Sequence, residues 1–283
     1  MTYNLFDLTY RVVRELGIVT EGTVTGGTTT TTIDTGYLGY YPDDWFNYGT
    51  LWLLYDAGGA GAAPEGEWAR VTDFTNSTKT ITHEALTVAP AAGDRYAVAP
   101  RKLARETLVQ QINSVLQEIL VPVEDIYTIT IAAGQAEYPL PNAVLDQGIE
   151  VYLQTILNDP DNFGWEKNND WYIRDPGAGY TKYLVFKNIP ATGRGARVVY
   201  WIPHAPLNAR TDQLQESVSL ERVVLGASVR CLEWLMKQPG TVDGDLPRQL
   251  QIMQARLVMY TPASRRRMVK LMTLGTIDTN GAA

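Results

Sequence analysis

Apolar residues recur at helical spacing in four stretches of the chain and alternate at strand spacing in two others. Residues 4–16 carry the stripe Leu5, Leu8, Val12 and Leu16, with Asn4 placed as N-cap, Asp7 at the third helical position and Gly17 as the stop. Helical spacing returns at Pro100, placed at the first position of a helix, and runs through Leu103, Leu108, Ile112, Val115, Leu116 and Ile119 until Pro122 breaks it. A third helix, capped by Ser217 or Ser219, is predicted through Val223, Val224, Ala227, Cys231, Trp234 and Leu235 to Pro239-Gly240. A fourth starts at Asp245 and shows Leu250, Met253, Leu257 and Tyr260 on one face.

Between the first two helices, Thr, Gly, Tyr and Trp dominate in short alternating runs. Strands are predicted near 29–34, 50–55, 68–74, 79–86 and 94–99, with turns at Gly58-Gly59-Ala60-Gly61 and Asn76-Ser77. A second β-rich stretch follows the second helix, with strands near 127–131, 149–157, 171–174, 183–186 and 197–202. The pattern therefore predicts an α+β fold, a four-helix core with two inserted antiparallel β-modules, each a small barrel or sandwich. The expected divisions are 1–20 (first helix of the core), 21–99 (inserted β-barrel or sandwich) and 100–125 (second helix). They continue with 126–204 (second β-rich module), 205–262 (third and fourth helices) and 263–283 (a basic, extended docking segment).

The length of 283 residues, with 45% apolar and 10% aromatic content, is enough to bury a substantial core, so a disordered chain is excluded. No apolar run approaches the roughly 20 residues of a membrane span, and Asp7, Arg11 and Arg14 stand where a secretory signal would be apolar. The single cysteine, Cys231, is read as a small buried hydrophobe of a chain folding in a reducing compartment. Dividing the net charge of −7 is more informative: residues 1–100 hold 5 basic and 12 acidic side chains, and the remainder is balanced. From Arg248 to Lys270 there are six basic residues and no acid.

Catalytic chemistry finds little support. His83 and His204 fall in different β-modules with no serine elbow near either, and are read as structural. One cysteine and two scattered histidines cannot build a zinc site. Asp159-Pro160-Asp161-Asn162-Phe163-Gly164, followed by Asp170, imitates a calcium loop but fails at Phe163 and Lys167, where an EF-hand takes oxygen ligands. The Gly58-Gly61 run lacks the Lys-Ser/Thr of a phosphate cradle. Asp43 and Asp44 are neighbours, whereas glycosidase carboxylates face one another across a sugar, so a loop or cap role is favoured. No cofactor is expected.

Two features point to contacts. Tyr37, Tyr40, Tyr41, Trp45, Phe46, Tyr48, Trp52 and Tyr55 crowd one stretch; part of it is core, and Trp45, Tyr48 and Trp52 are assigned to a contact surface. Arg265, Arg266, Arg267, Met268, Lys270, Leu271 and Met272 form a basic amphipathic segment in which protein docking is favoured over phosphate binding, followed by a small-residue tail expected to order only on a partner.

Three stretches, Asp43-Asp44-Trp45-Phe46-Asn47-Tyr48-Gly49-Thr50-Leu51, Trp68 to Thr82, and Ala91-Ala92-Gly93-Asp94-Arg95-Tyr96, resemble a β-module of tailed-bacteriophage virion proteins. With the helix order, Tyr138-Pro139-Leu140-Pro141, Val198-Val199-Tyr200-Trp201 and Leu225-Gly226-Ala227-Ser228, the whole resembles phage head-to-tail adaptor (neck or connector) proteins. The resemblance implies a virion structural protein that is not an enzyme. It implies a homo-oligomeric ring of about twelve subunits, in the neck between capsid and tail, made in the host cytoplasm. Its partners would be the portal, which the basic C-terminal segment would engage, and tail proteins; genomic DNA would pass through without sequence-specific binding. The alternative is a tail or baseplate component whose aromatic module binds host-surface polysaccharide.

Overall fold

A computed structural model describes residues 3–59, 61–140, 149–155, 164–175, 177, 181–238 and 245–260. Among them, fourteen strands in three antiparallel sheets outweigh four α-helices. This corrects the expected α+β four-helix core: the chain is mainly β, and each β-module carries an apolar cluster of its own. The four predicted helices are present, but fourteen strands stand where ten were expected, because short twisted strands carry little period each and the hydrophobic pattern undercounts them. The chain divides into two compact units, Met1–Ile119 with His204–Thr261, and one built on Leu120–Pro203.

In the first unit, α1 (Leu5–Glu15) opens with a reciprocal capping box: Asp7 N donates to Asn4 Oδ1 (2.9 Å) and Asn4 N to Asp7 Oδ2 (3.2 Å). The strands that follow are β1 (Thr20–Thr23), β2 (Gly26–Thr28), β3 (Thr31–Ile33), β4 (Thr50–Tyr55), β5 (Trp68–Thr75), β6 (Thr80–His83) and β7 (Arg95–Ala99). They pair in the order β1-β7-β4-β5-β6-β3-β2. Only Val24 and Thr25 separate β1 from β2; Val24 N donates to Asp94 O (2.8 Å) and Thr25 N to Ile33 O (2.7 Å). β1 and β2, the two end strands of the sheet, are thus consecutive pieces of one run of chain, and the sheet curls into a small barrel. β1 and β2 lay outside the predicted strands, because Thr-Glu-Gly-Thr and Gly-Gly-Thr have no apolar alternation.

Val24, Leu38, Phe46, Leu51, Leu53, Val71, Phe74, Ile81, Tyr96 and Val98 fill the barrel. Trp52, between Leu51 and Leu53, faces the other way, as strand alternation requires. It is fully buried, and its Nε1 donates to Thr9 Oγ1 of α1 (3.1 Å). Phe6 of α1 packs on Trp68 with ring centroids 6.4 Å apart.

The second helix, α2 (Arg105–Leu116), begins five residues after Pro100, which opens a single 3₁₀ turn over Arg101–Leu103. Its first amide, Arg105 N, donates to Thr50 Oγ1 (3.0 Å). α3 (Leu220–Met236), capped by Ser219, is apolar almost all round and buries Val223, Val224, Ala227, Cys231, Leu232 and Leu235. It lies against α1 and α2, and α4 (Leu246–Tyr260) lies on α3. At the α2–α3 crossing, a Cβ on Gly226 would stand 3.0 Å from Val115 Cγ1, so glycine sets the close approach. The helices are layers on one side of the barrel.

The second unit contains two sheets, β8 (Leu120–Thr130), β10 (Glu150–Gln154), β11 (Trp165–Asn168) and β14 (Gly195–Pro203) in the order β11-β10-β14-β8, and β9 (Glu137–Pro139), β12 (Trp171–Arg174) and β13 (Tyr183–Phe186) in the order β12-β13-β9. Ile129, Val151, Ala196, Val198 and Tyr200 of the first meet Tyr138, Leu184 and Phe186 of the second in one core, as in a sandwich. Pro122 sits within β8, where it ends no helix. It is tolerated because β8 is the edge strand and pairs only with β14.

Candidate assembly surfaces

The chemistry-bearing residues are occupied by the fold. His83 is buried; its Nδ1–H donates to Glu84 O (2.8 Å) and Nε2 accepts from Thr32 Oγ1 (3.0 Å), which defines a neutral tautomer. Burial lowers its pKa from the ordinary value. His204 is also buried; its Nδ1–H donates to Ala205 O (2.6 Å) and Nε2 accepts from Gln215 N (3.2 Å). Burial pushes the Cys231 thiol up to about 12, so it is no nucleophile. Among the described residues no cluster of His, Cys, Asp and Glu could hold a metal, and no helix is long and apolar enough to cross a membrane. Asp159, Asp161 and Phe163 of the calcium-like loop lie outside the described residues; Lys167, at its ninth position, pairs with Glu150 (2.6 Å).

The motif residues of the first β-module are architectural. Asp94 is buried and accepts from Ala57 N (2.9 Å) and Ala91 N (2.7 Å), which ties two loops to the start of β7. Tyr96 Oη donates to the buried Asp34 (2.9 Å), whose other oxygen accepts from Gly36 N and Tyr37 N. Burial and the Asp34 carboxylate together hold the Tyr96 phenol far above its ordinary pKa. Asp43 Oδ1 accepts from Asn76 N (2.5 Å), and Asn47 Nδ2 donates to Asp44 (2.7 Å), so neither carboxylate is arranged as one of a catalytic pair. A Cβ on Gly49 would come 2.0 Å from Ala99 O, which makes this glycine obligatory.

The three aromatic residues expected to share a contact surface separate. Trp45 and Tyr48 are 49% and 48% exposed. Trp52 is at 0%, wedged between barrel and α1, and is withdrawn from the surface: on a strand covered on both faces, alternation directs an aromatic residue inward either way. The exposed aromatic set is instead Tyr37, Tyr40 (82% exposed) and Trp45, with Tyr48 beside them in sequence. These rings are rooted in the core: Phe74 meets Phe46 (5.1 Å), Phe46 meets Tyr41 (4.9 Å), and Tyr41 stacks on Trp45 (6.1 Å). Tyr48 is covered by two guanidinium groups, Arg70 at 5.5 Å and Arg101 at 5.2 Å. Asp43 and Asp44 immediately precede Trp45, so the rim carries two carboxylates beside its rings, with Lys79 lying against Gly39.

A second surface was not anticipated from the sequence. α4 seats Leu246, Leu250, Met253 and Leu257 toward α3, yet Arg248, Ile252, Ala255 and Met259, at spacings of four, three and four, form another stripe on the opposite side. Ile252 is 50% and Met259 82% exposed, with Val258 and Tyr260 beside them. Tyr260, assigned to the buried face and in register with Met253 and Leu257, is 46% exposed at the end of α4. Both stripes have helical spacing, and periodicity does not distinguish a covered face from an open one. The segment Arg265, Arg266, Arg267, Met268, Lys270, Leu271 and Met272 lies outside the described residues.

Two grooves complete the unit. One, of ≈ 320 Å³, lies among α2, α3 and α4, where Arg230 pairs with Glu118 (2.5 Å). The other, of ≈ 530 Å³, is lined by Trp68, Arg105, Val109 and Arg210; its cations are engaged by Glu106 (3.0 Å), Glu84 (3.8 Å) and Glu67 (3.5 Å). Both are charge-satisfied surface features. No protein-family model matches the chain, and no curated protein matches it.

Proposed function

We propose that this is a non-enzymatic virion structural protein of a tailed bacteriophage, a head-to-tail adaptor that joins portal to tail as a homo-oligomeric ring of about twelve subunits. The ring would surround the DNA exit channel in the neck, with the portal and tail proteins as partners and the genome passing without sequence-specific contacts. The observation that carries the reading is the outer stripe of α4. α4, the last helix among the described residues, has apolar residues on two opposite faces of which the described residues cover one, and an open apolar face is a mark of assembly. The phage-like motifs in the barrel add to it.

The test is native mass spectrometry of the full chain mixed with portal rings. A discrete complex with many added copies is expected; a protein that stays monomeric with portal present overturns the adaptor role. Truncation of residues 263–283 should abolish portal binding and leave the fold intact, and retained binding would remove the docking role of Arg265 to Met272.

A second reading, a tail component that binds host polysaccharide, is favoured by the exposed rings of Tyr37, Tyr40 and Trp45 beside Asp43 and Asp44. It requires that Trp45→Ala weaken retention on host envelope glycan without loss of fold.

A further inference from the structure

The outer stripe of α4 and the aromatic rim of the barrel are opposite in character. The stripe is apolar with one cation, Arg248, a helical turn before Ile252; the rim is aromatic with two exposed carboxylates, Asp43 and Asp44. The barrel and its flanks hold the chain's whole excess of negative charge, with 12 acidic against 5 basic residues in the first hundred. From Arg248 to Lys270 the chain has no acid at all. A basic C-terminal segment folded back on α4 would place like charge against Arg248, whereas an acidic rim complements it.

We propose that the outer stripe of α4, Arg248, Ile252, Ala255 and Met259, docks on the Tyr37, Tyr40, Asp43, Asp44 and Trp45 rim of a second copy of this chain. This deepens the ring reading above and rests on it for its geometry. Because the two faces differ, the contact is heterologous: each copy offers a stripe to one neighbour and a rim to the other, and repetition builds a closed ring when the rotation allows. The rim suits the role of anchor. Tyr37 and Trp45 lean on Tyr41, which Phe46 backs in turn, and Tyr40 meets Tyr37 edge-on, so Tyr37 and Trp45 lose little side-chain freedom on contact, and large rigid aromatics carry most of the energy of such interfaces. Met259 and Ile252, unbranched and branched apolar side chains along the same stripe, supply the adaptable surface against them.

The natural cysteine makes the test clean, since Cys231 is fully buried in α3. Full-length Tyr40→Cys and Met259→Cys proteins are mixed and oxidised, alone and on portal rings. The expected result is a disulfide-linked dimer in the mixture and little in either protein by itself. Met259→Glu should lower self-association by at least about tenfold, as a like charge set against Asp43 and Asp44 does, with an unchanged thermal midpoint.

Cross-linking in the free protein without portal binding would uphold the contact and sink the adaptor role. A multi-copy portal complex without the cross-link would overturn the contact and leave the ring. Loss of portal binding in Met259→Glu with self-association intact would give the stripe to the portal, and loss of glycan retention in Tyr40→Cys with self-association intact would give the rim to a sugar; either overturns the proposal.

Discussion

The barrel and α4 use the same residue types to opposite ends. In the barrel, Leu51, Trp52 and Leu53 are consecutive and all fully buried, because β4 has the barrel core on one side and α1 on the other. In α4, apolar residues also occupy two opposite sides, but only one is covered. Apolar pattern alone states that a face wants cover; the number of layers around the element decides whether it has it. A strand between two layers is finished within the chain. A helix in the outermost layer can show a second apolar face that no described residue covers.

Trp52 is where this contrast is most open to attack. Trp52→Ala removes the ring shared by β4 and α1 together with its hydrogen bond to Thr9 Oγ1, and should destabilise the first unit by about 3–5 kcal/mol in denaturant titration. A cost near that of a surface change would mean that β4 is not covered on both faces. Gly49→Ala is next. With a carbonyl oxygen in the place of its Cβ, the backbone must shift, and about 1–3 kcal/mol is expected from the same titration.

Asn4→Ala removes half of the capping box of α1 and should cost about 1 kcal/mol, read as a lower melting temperature. His83 gives a pH signature. Its folded pKa lies below the ordinary 6.5, so the unfolded chain takes up the proton first and stability falls as pH drops through about 6.5. That loss should be absent in His83→Gln, and an unchanged slope of melting temperature against pH would remove the histidine from the account. The smallest stability effect is expected on α4: Met259→Ser should alter stability by no more than about 0.5 kcal/mol, as an exposed position does. A large loss there would show that the stripe is covered within the protomer, and the contrast with the barrel would disappear.

Elements that carry their own short-range chemistry were legible in the sequence. The Asn4 cap with Asp7, the Ser219 cap of α3 and the strand at Thr50–Tyr55 lie where short-range spacing puts them. Elements defined by their partners were not. β1 forms because β7, far along the chain, pairs with it, and β2 because β3 bonds it into the sheet; nothing within Thr-Glu-Gly-Thr or Gly-Gly-Thr announces either. Pro122 reads as a break along the chain and is accommodated only because β8 is an edge strand. The candidate surfaces divide in the same way: Trp45 and Tyr48 are exposed where an aromatic cluster suggested contact, and Trp52, in the same aromatic run, is sealed inside.

Spacing along the chain therefore settled part of the local repertoire: the Asn4 and Ser219 caps and the alternation of Thr50–Tyr55, though not the start of α2, which lies at Arg105 and not at Pro100. Counting settled that negative charge gathers in the first hundred residues and basic charge near the end. Such features act over a few residues, so they hold whatever the fold. The closure of the first sheet into a barrel, the stacking of the helices on one side of it, the bracing of loops by the module's aspartates and the choice of which apolar faces stay open came from the assembled chain alone. Burial is a property of the space around a residue, and that space is filled by segments distant in the chain.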